Sequence, residues 1–314
     1  MVWLTAGCVS RSVQVPILLP PVWDATVQDL VASLNEYQRL QTMTARLAVQ
    51  FQNNQQVDQG LSRLYRAAEG RLVLARPGKI RLLIQAPVVK TNIAEVASDG
   101  HRFSVIIHPD KYRMFIRGTN GRQYDHLSLS PQAKERRQQA GGFARLRPEH
   151  FTEALLFPAI DLHDPTTVVV KEEVQREEPD LRPNAPRGQR VIKTYWVLDV
   201  IQQEAGSFYR LRHKYWFDRT GEQRLVRQQA FAPTGELVAD ISFSDPIRPE
   251  ASALLIPTSI HIHRPRDQYS AWLRLDAPTV QLNVEVPERA FTLEKPTEWG
   301  DDVETIDLDS YANL

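Results

Sequence analysis

The chain has 314 residues, 42% of them hydrophobic and 24% charged, with 38 Lys and Arg against 38 Asp and Glu, so its formal net charge is zero. That balance removes the long-range attraction on which non-specific nucleic-acid binding depends, and the length suffices to bury a large core without covalent staples. The single cysteine forms no internal disulfide and no thiolate zinc cage, and no run of 18 or more apolar residues exists to make a bilayer-spanning helix.

Residues 1–23 read as a segment apart. MVWLTAGC places the small residues Thr5, Ala6 and Gly7 before Cys8. This resembles the end of a bacterial lipobox, with Leu4 four residues ahead of the cysteine. The resemblance implies that the gene product starts upstream, that Cys8 is diacylated to become the N-terminus, and that the chain is a membrane-anchored lipoprotein. Val9 in place of an aspartate implies the outer membrane, by analogy with enteric sorting rules. A cysteine without a role near a frayed end is the alternative. Pro16, Pro20 and Pro21 suit an extended tether, since proline removes a backbone donor and fixes φ, and packing of ILL and PPVW on the folded body is the other reading.

From Asp24 the period becomes helical. Val27, Leu30, Val31, Leu34 and Tyr37 predict an amphipathic helix of about twenty residues, with Asp24 as N-cap and Thr26 to Asp29 as a variant capping box. Period-two alternation follows: Leu47, Val49 and Phe51; Leu72 and Leu74; Ile80, Leu82 and Ile84; Phe103, Val105 and Ile107; Tyr112, Met114 and Ile116. Polar residues such as Arg46, Gln50, Arg71, Arg81, Arg102 and Arg113 occupy the intervening positions, so each run predicts a strand with one dry face. ARPGK, SDGH, HPDK and GTNG supply turns close enough together for hairpins.

Residues 128–147 are polar and basic, and Pro148 to Phe157 predicts a second helix with Phe151 and Leu155 on one side. The proline-rich stretch 176–190 reads as a mobile loop within a hairpin. Strands resume at 195–200, then with Tyr209, Leu211, His213, Tyr215 and Phe217, with Leu237, Ala239, Ile241 and Phe243, and with Val280, Leu282, Val284 and Val286. Ten or eleven strands and two helices are too many strands for a flat sheet and predict a strongly curved sheet or barrel. Residues 24–296 form one domain on this reading, and 297–314 an acidic, frayed tail.

Catalytic signatures are absent: there is no nucleophile elbow, P-loop, zincin helix or dinucleotide fingerprint, and neither an enzyme nor a cofactor is expected. His261 and His263 share one strand face opposite Ile260 and Ile262, and read as solvated histidines rather than metal ligands. Asp161, His163 and Asp164 read as loop residues. Lys134, Arg136, Arg137, Arg145 and Arg147 make a basic segment that reads as solvated surface, with phosphate headgroups as the other use.

GRLVLARPGKIRLLIQAP, SDGHRFSVIIHPDKYRMFI, LLIPTSIHIHRP and VQLNVEVPERAFTLEKP, with Asn283, Phe291 and Pro296 at matching places, resemble the LolA/LolB family of bacterial lipoprotein carriers and receptors over roughly residues 24–296. The resemblance implies a mostly β fold with α: an incomplete antiparallel barrel whose open side helices plug, and whose cavity holds acyl chains of lipids or lipoproteins. The alternating residues named above from Leu47 to Val284, apart from His213 and the strand 195–200, would line it, and Val88 and Val89 match the family's exposed transfer loop. Two functions are expected. One is acyl-chain binding for transfer or outer-membrane localisation; the other is a structural or assembly lipoprotein with protein partners, in which case the barrel is filled by its own side chains.

Overall fold

The structure is a computed structural model that describes residues 15–53, 67–122, 124, 147–204, 208–220, 224–250, 252–300, 302–303 and 305–311. Cys8, Lys134, Arg136, Arg137 and Arg145 lie outside the described residues.

In chain order the elements are β1 (Ile17–Leu18), α1 (Val27–Asn35), β2 (Thr42–Asn53), β3 (Ala67–Ala75), β4 (Lys79–Gln85), β5 (Asn92–Ser98), β6 (Arg102–Ile107), β7 (Met114–Thr119), α2 (Pro148–Leu155), β8 (Thr167–Pro179), β9 (Arg190–Glu204), β10 (Phe208–Asp218), β11 (Arg224–Phe231), β12 (Leu237–Ile247), β13 (Ile256–Arg264), β14 (Tyr269–Leu275), β15 (Gln281–Leu282), β16 (Thr305–Asp307) and α3 (Leu308–Tyr311). The sixteen strands among the described residues form one large, curved, unclosed sheet. Its path runs from β9 through β14, crosses to β2, and continues to β7 and β16. β8 borders β9 at one end, and the parallel β7–β16 pair closes the other.

One face carries the main core, and the alternation of the sequence explains why. On β3 and β4 the buried positions are every second residue, Leu72 and Leu74 against Ile80, Leu82 and Ile84. α2 packs against β4 and β5 and contributes Phe151, Ala154 and Leu155, while α1 contributes Leu30, Val31 and Leu34. Arg76, beside the β3–β4 turn, fastens both helical segments to the sheet: its guanidinium donates to the carbonyls of Leu40 at 3.0 Å, Tyr37 at 3.0 Å and Phe157 at 3.1 Å. Asn35 adds a reciprocal pair with the backbone of Ile160, at 2.8 and 2.9 Å.

Several expectations need correction. Thr26, not Asp24, is the N-cap, and the Thr26–Asp29 capping box forms in full. The helix is nine residues, continued only by a 3-10 turn at Glu36–Arg39. Tyr209 and Leu211 leave the inner face, because a bulge at Arg212 shifts the β9–β10 register between Leu211 and His213. An inserted residue reverses which side faces the core, so Tyr209 is 54% exposed while Tyr215 and Phe217 are fully buried. The alternating run 280–286 gives only the two-residue β15. Asn283 turns the chain at φ 55° and its Oδ1 accepts the Gln41 N–H at 2.8 Å, so Val284 is half-buried off the sheet.

The loop expected at 176–190 shortens to 180–189, since β8 runs to Pro179 and β9 begins at Arg190. The described residues of the tail are docked, not frayed. Trp299 packs with Ile106, Phe115 and Val303, and Ile306 and Leu308 enter the main core.

Candidate functional site

The inner face carries one continuous core, which includes Tyr215, Phe217, Ala239, Ile241 and Phe243 on β10 and β12 as well as the residues of β2–β7, and it opens beside α2. Leu47, Val49, Phe51, Leu72, Leu74, Ile80, Leu82, Ile84, Phe103, Val105, Ile107, Tyr112, Met114 and Ile116 all belong to one packed cluster with the helices. Beyond α2 the inner face opens into a cavity of about 470 Å³ between α2 and the strands β10, β11 and β12. That volume falls within the roughly 300–1,000 Å³ of small-molecule sites. Of the predicted residues Ala239 and Ile241 stand where the cavity meets the main core, 0% and 1% exposed and members of that core as well. Leu156, Ala230, Phe231 and Val238 extend its apolar surface. Leu237 is half-buried, Phe243 and Val280 are in the core, and Leu282 packs against it.

The remaining wall is charged. Arg264 on β13 is buried, and its guanidinium donates to Glu153 at 3.0 Å and to Asp267 at 2.9 Å. Arg147 lies 3.3 Å from Glu149, whose carboxylate also accepts the Gly121 N–H at 3.0 Å. Burial raises the Glu149 carboxyl above the usual range, with Arg147 opposing. Behind this wall His150 is fully buried with Nδ1 2.6 Å from Tyr269 Oη, and burial, reinforced by Arg264 and Arg147, holds its pKa well below the ordinary value. The imidazole is therefore neutral at pH 7, and its 3.7 Å approach to Asp267 is not an ion pair. Arg212, displaced by the bulge, lines the cavity beside His213.

Sequence reasoning missed Gln228. It reads as one polar residue among several in RLVRQQAF, yet it is 1% exposed and lines the cavity opposite Tyr215 in the register. Its Oε1, the His213 Nδ1 and the Tyr215 hydroxyl are buried without hydrogen-bond partners among the described residues. No signal in the sequence separates Gln228 from the more exposed Gln229, because a bulge between Trp216 and Phe217 resets the alternation of β11 against β10.

The other predicted residues are elsewhere. Val88 and Val89 stand on the β4–β5 loop, 90% and 69% exposed, with Val88 held at φ 69°. A β-branched residue there is strained. His261 stacks on Trp272 with ring centroids 4.4 Å apart, and His263 Nδ1 lies 2.9 Å from Ser270 Oγ. Asp164 accepts from Thr166 and Thr167 in its own loop. Among the described residues no cluster of three His, Cys, Asp or Glu side chains could hold a metal. A larger hollow of about 790 Å³ lies on the outer face under the tip of the β8–β9 hairpin. Several of its charged groups are already paired: Lys193 with Asp218 at 3.2 Å, Arg182 with Asp180 at 2.7 Å and Arg227 with Asp240 at 2.7 Å.

No family model and no curated protein matches the sequence. Among solved structures the chain is similar to a LolA superfamily protein from Nitrosomonas europaea, at 11% identity and a TM-score of 0.44 over 86% of this chain and 99% of that one. It is also similar to a DUF1329 family protein from Desulfovibrio piger, at 12% identity and a TM-score of 0.45 over 84% of this chain and 95% of that one. An outer membrane lipoprotein-sorting protein domain from Vibrio parahaemolyticus is similar at 12% identity and a TM-score of 0.40, over 83% of this chain and 95% of that one. At these identities none of the three decides what this chain binds.

Proposed function

We propose that the protein is a lipid-anchored protein of the bacterial outer membrane that takes the acyl chain of a lipid or lipoprotein into its inner cavity, for transfer or localisation. The observation that carries this reading is the cavity itself. Ala239, Ile241, Leu156 and Val238 form an apolar surface, and Arg147, Arg212 and Arg264 stand at the same wall. An amphiphile matches both parts. Each methylene desolvated there contributes about 0.8 kcal/mol, and an anionic headgroup gains charge-assisted hydrogen bonds from arginine. The sequence resemblance supports the reading, and Cys8 is the anchor it assigns. Val88 and Val89 would meet the membrane or the cargo, because their side chains stand 90% and 69% exposed on a strained turn.

Ala239→Leu tests it. Ala239 is fully buried where the cavity meets the core; if the added methyls enter the cavity, binding of a fluorescent fatty-acid probe should fall about tenfold while stability changes by under about 1 kcal/mol. A dense core would instead lose about 1–3 kcal/mol to overpacking. Unchanged probe affinity with a large loss of stability would overturn the proposal. That outcome would favour a structural or assembly lipoprotein, the reading to which the packed inner face already lends support.

A further inference from the structure

Strand β8 has one neighbour. Among the described residues it pairs with β9 alone, through all thirteen residues from Thr167 to Pro179, so its other edge is open. In an antiparallel ladder, directly opposed residues alternate between pairs that exchange both hydrogen bonds and pairs that exchange none. The Thr166 carbonyl accepts the Gln203 N–H at 2.7 Å and the Asp180 N–H donates to the Gln189 carbonyl at 2.9 Å; each pair continues the β8–β9 register by one residue. Even-numbered residues of β8 therefore turn their backbone groups toward β9, and odd-numbered ones turn theirs to the open edge. The ends of that edge are taken: the Thr167 N–H donates to the Asp164 carbonyl at 3.0 Å, and the Glu177 carbonyl accepts from Arg190 at 3.1 Å. Between them the backbone groups of Val169, Lys171, Glu173 and Gln175 face outward with no partner among the described residues.

We infer that this edge pairs with the same edge of a second copy of the chain, making an isologous dimer in which the sheet runs on across a two-fold axis. The inference is independent of what the cavity binds. Charges ordinarily guard an open edge, and whether they do depends on what they meet. Outward residues meet outward residues in an antiparallel pair only if the axis passes through a residue. An axis at Lys171, Glu172, Glu173, Arg176 or Glu177 sets that charge against its own copy, and one at Gln175 sets Glu173 against Glu177. Val174 is the one position between Lys171 and Glu177 free of such a clash. There Glu172 of one copy meets Arg176 of the other, Lys171 meets Glu177 and Glu173 meets Gln175, each twice by symmetry. Arg176 is exposed, lies 4.9 Å from the Trp216 ring and has no carboxylate partner among the described residues. Glu172 receives Lys214 at 3.0 Å but keeps its side chain 46% exposed. Val174 meets its own copy at the spacing without hydrogen bonds, where side chains come closest. It already packs on Tyr195, Val197 and Trp216, so the dimer joins two such clusters into one.

Sedimentation velocity on the full chain tests this, over a concentration series and with a reductant present so that Cys8 cannot link two copies. The natural protein should associate reversibly to a dimer. Gln175→Pro removes a donor that faces the open edge and no bond to β9, a place where a strand tolerates proline. It should weaken the dimer about tenfold or more, since two ladder bonds are lost by symmetry, and leave the melting temperature within a few degrees. Arg176→Glu and Glu172→Arg should each be monomeric alone. An equimolar mixture of the two should dimerise, because the mixed pair opposes glutamate to arginine at both sites. These charge variants decide the matter even if the proline variant fails to fold. A natural protein that stays monomeric throughout the series would overturn the inference. So would a dimer that survives Gln175→Pro, charge variants that dimerise alone, or a mixture of them that stays monomeric.

Discussion

The sheet from β2 to β7 and the sheet from β9 to β14 carry the same alternation, yet they do different work. In the first, α2 presses Phe151, Ala154 and Leu155 onto strands whose inward residues are mostly leucine, isoleucine and valine, with Phe51, Phe103, Tyr112 and Met114, and all of these are buried. In the second, the other side of α2 offers Glu149, Thr152 and Glu153, and the strands answer with His213, Gln228 and Ala239. Small and polar residues neither fill the gap nor close it. A helix two turns long thus divides one curved sheet into a supporting half and a receiving half, and the division lies in which residues face it rather than in the backbone.

The sharpest way to break that comparison is to make a hole in the supporting half. Leu74→Ala removes a fully buried side chain, and should cost about 2–5 kcal/mol, read as a shift in the urea midpoint. A loss below about 1 kcal/mol would mean that this half is loosely packed too. Ala239→Leu is its counterpart in the receiving half, where the volume change has the opposite sign and the effect should fall on binding.

Acid should expose a second difference. Burial, with Arg212 adding repulsion, pushes His213 down to about 4, and His150 is held low by its burial and by Arg264 and Arg147. Both belong to the receiving half or its wall. A histidine lowered in the folded state is protonated first in the unfolded chain, so the unfolded chain binds the extra proton and stability falls as pH drops below about 6.5. For His213 the loss accumulates at up to about 1.4 kcal/mol per pH unit and ends near its folded value of about 4. His213→Phe should remove that share, flattening the dependence of unfolding free energy between about pH 6 and pH 4.5. Parallel curves for the variant and the natural protein would show that the ring is hydrated in the folded state.

Much of the supporting half was legible because its residues obey local rules. Leu72, Leu74, Ile80, Leu82 and Ile84 alternate without interruption, the capping box at Thr26 is written in sequence, and Pro148 marks the start of α2. β5, NIAEVAS, was missed because it is buried on both faces and so lacks alternation, and β8, TVVVKEEVQREEP, because it is an edge strand with little buried at all. In the receiving half the rules are broken by bulges. One extra residue at Arg212 sends Tyr209 to solvent and Tyr215 to the core, and one at Val226 brings Gln228 inward. A period-two pattern contains no record of where a strand slips, so the site was the part that sequence could not show.

The β4–β5 loop gives the smallest expected effect and the cleanest separation of stability from function. Val88 is held at φ 69° with its side chain almost wholly in solvent, and its neighbour Lys90 at φ 55° returns an N–H to Ala86 O at 3.1 Å, so the tight turn imposes the conformation. Glycine adopts such a backbone without steric cost, whereas valine stores strain of order 1–3 kcal/mol. Val88→Gly also loosens the unfolded chain, which takes back about 0.4–1 kcal/mol. The net change should lie between zero and about 2.6 kcal/mol of added stability, the reverse of what valine-to-glycine does in a strand. If the exposed valine serves contact with a membrane or a cargo, the same variant should transfer a fluorescent acyl probe to phospholipid vesicles more slowly, with probe affinity unchanged because the supporting half and the cavity are untouched. A variant more stable, equally able to bind and slower to deliver would assign the strain to function. A variant more stable and equally fast would leave Val88 as a turn residue with no part in transfer.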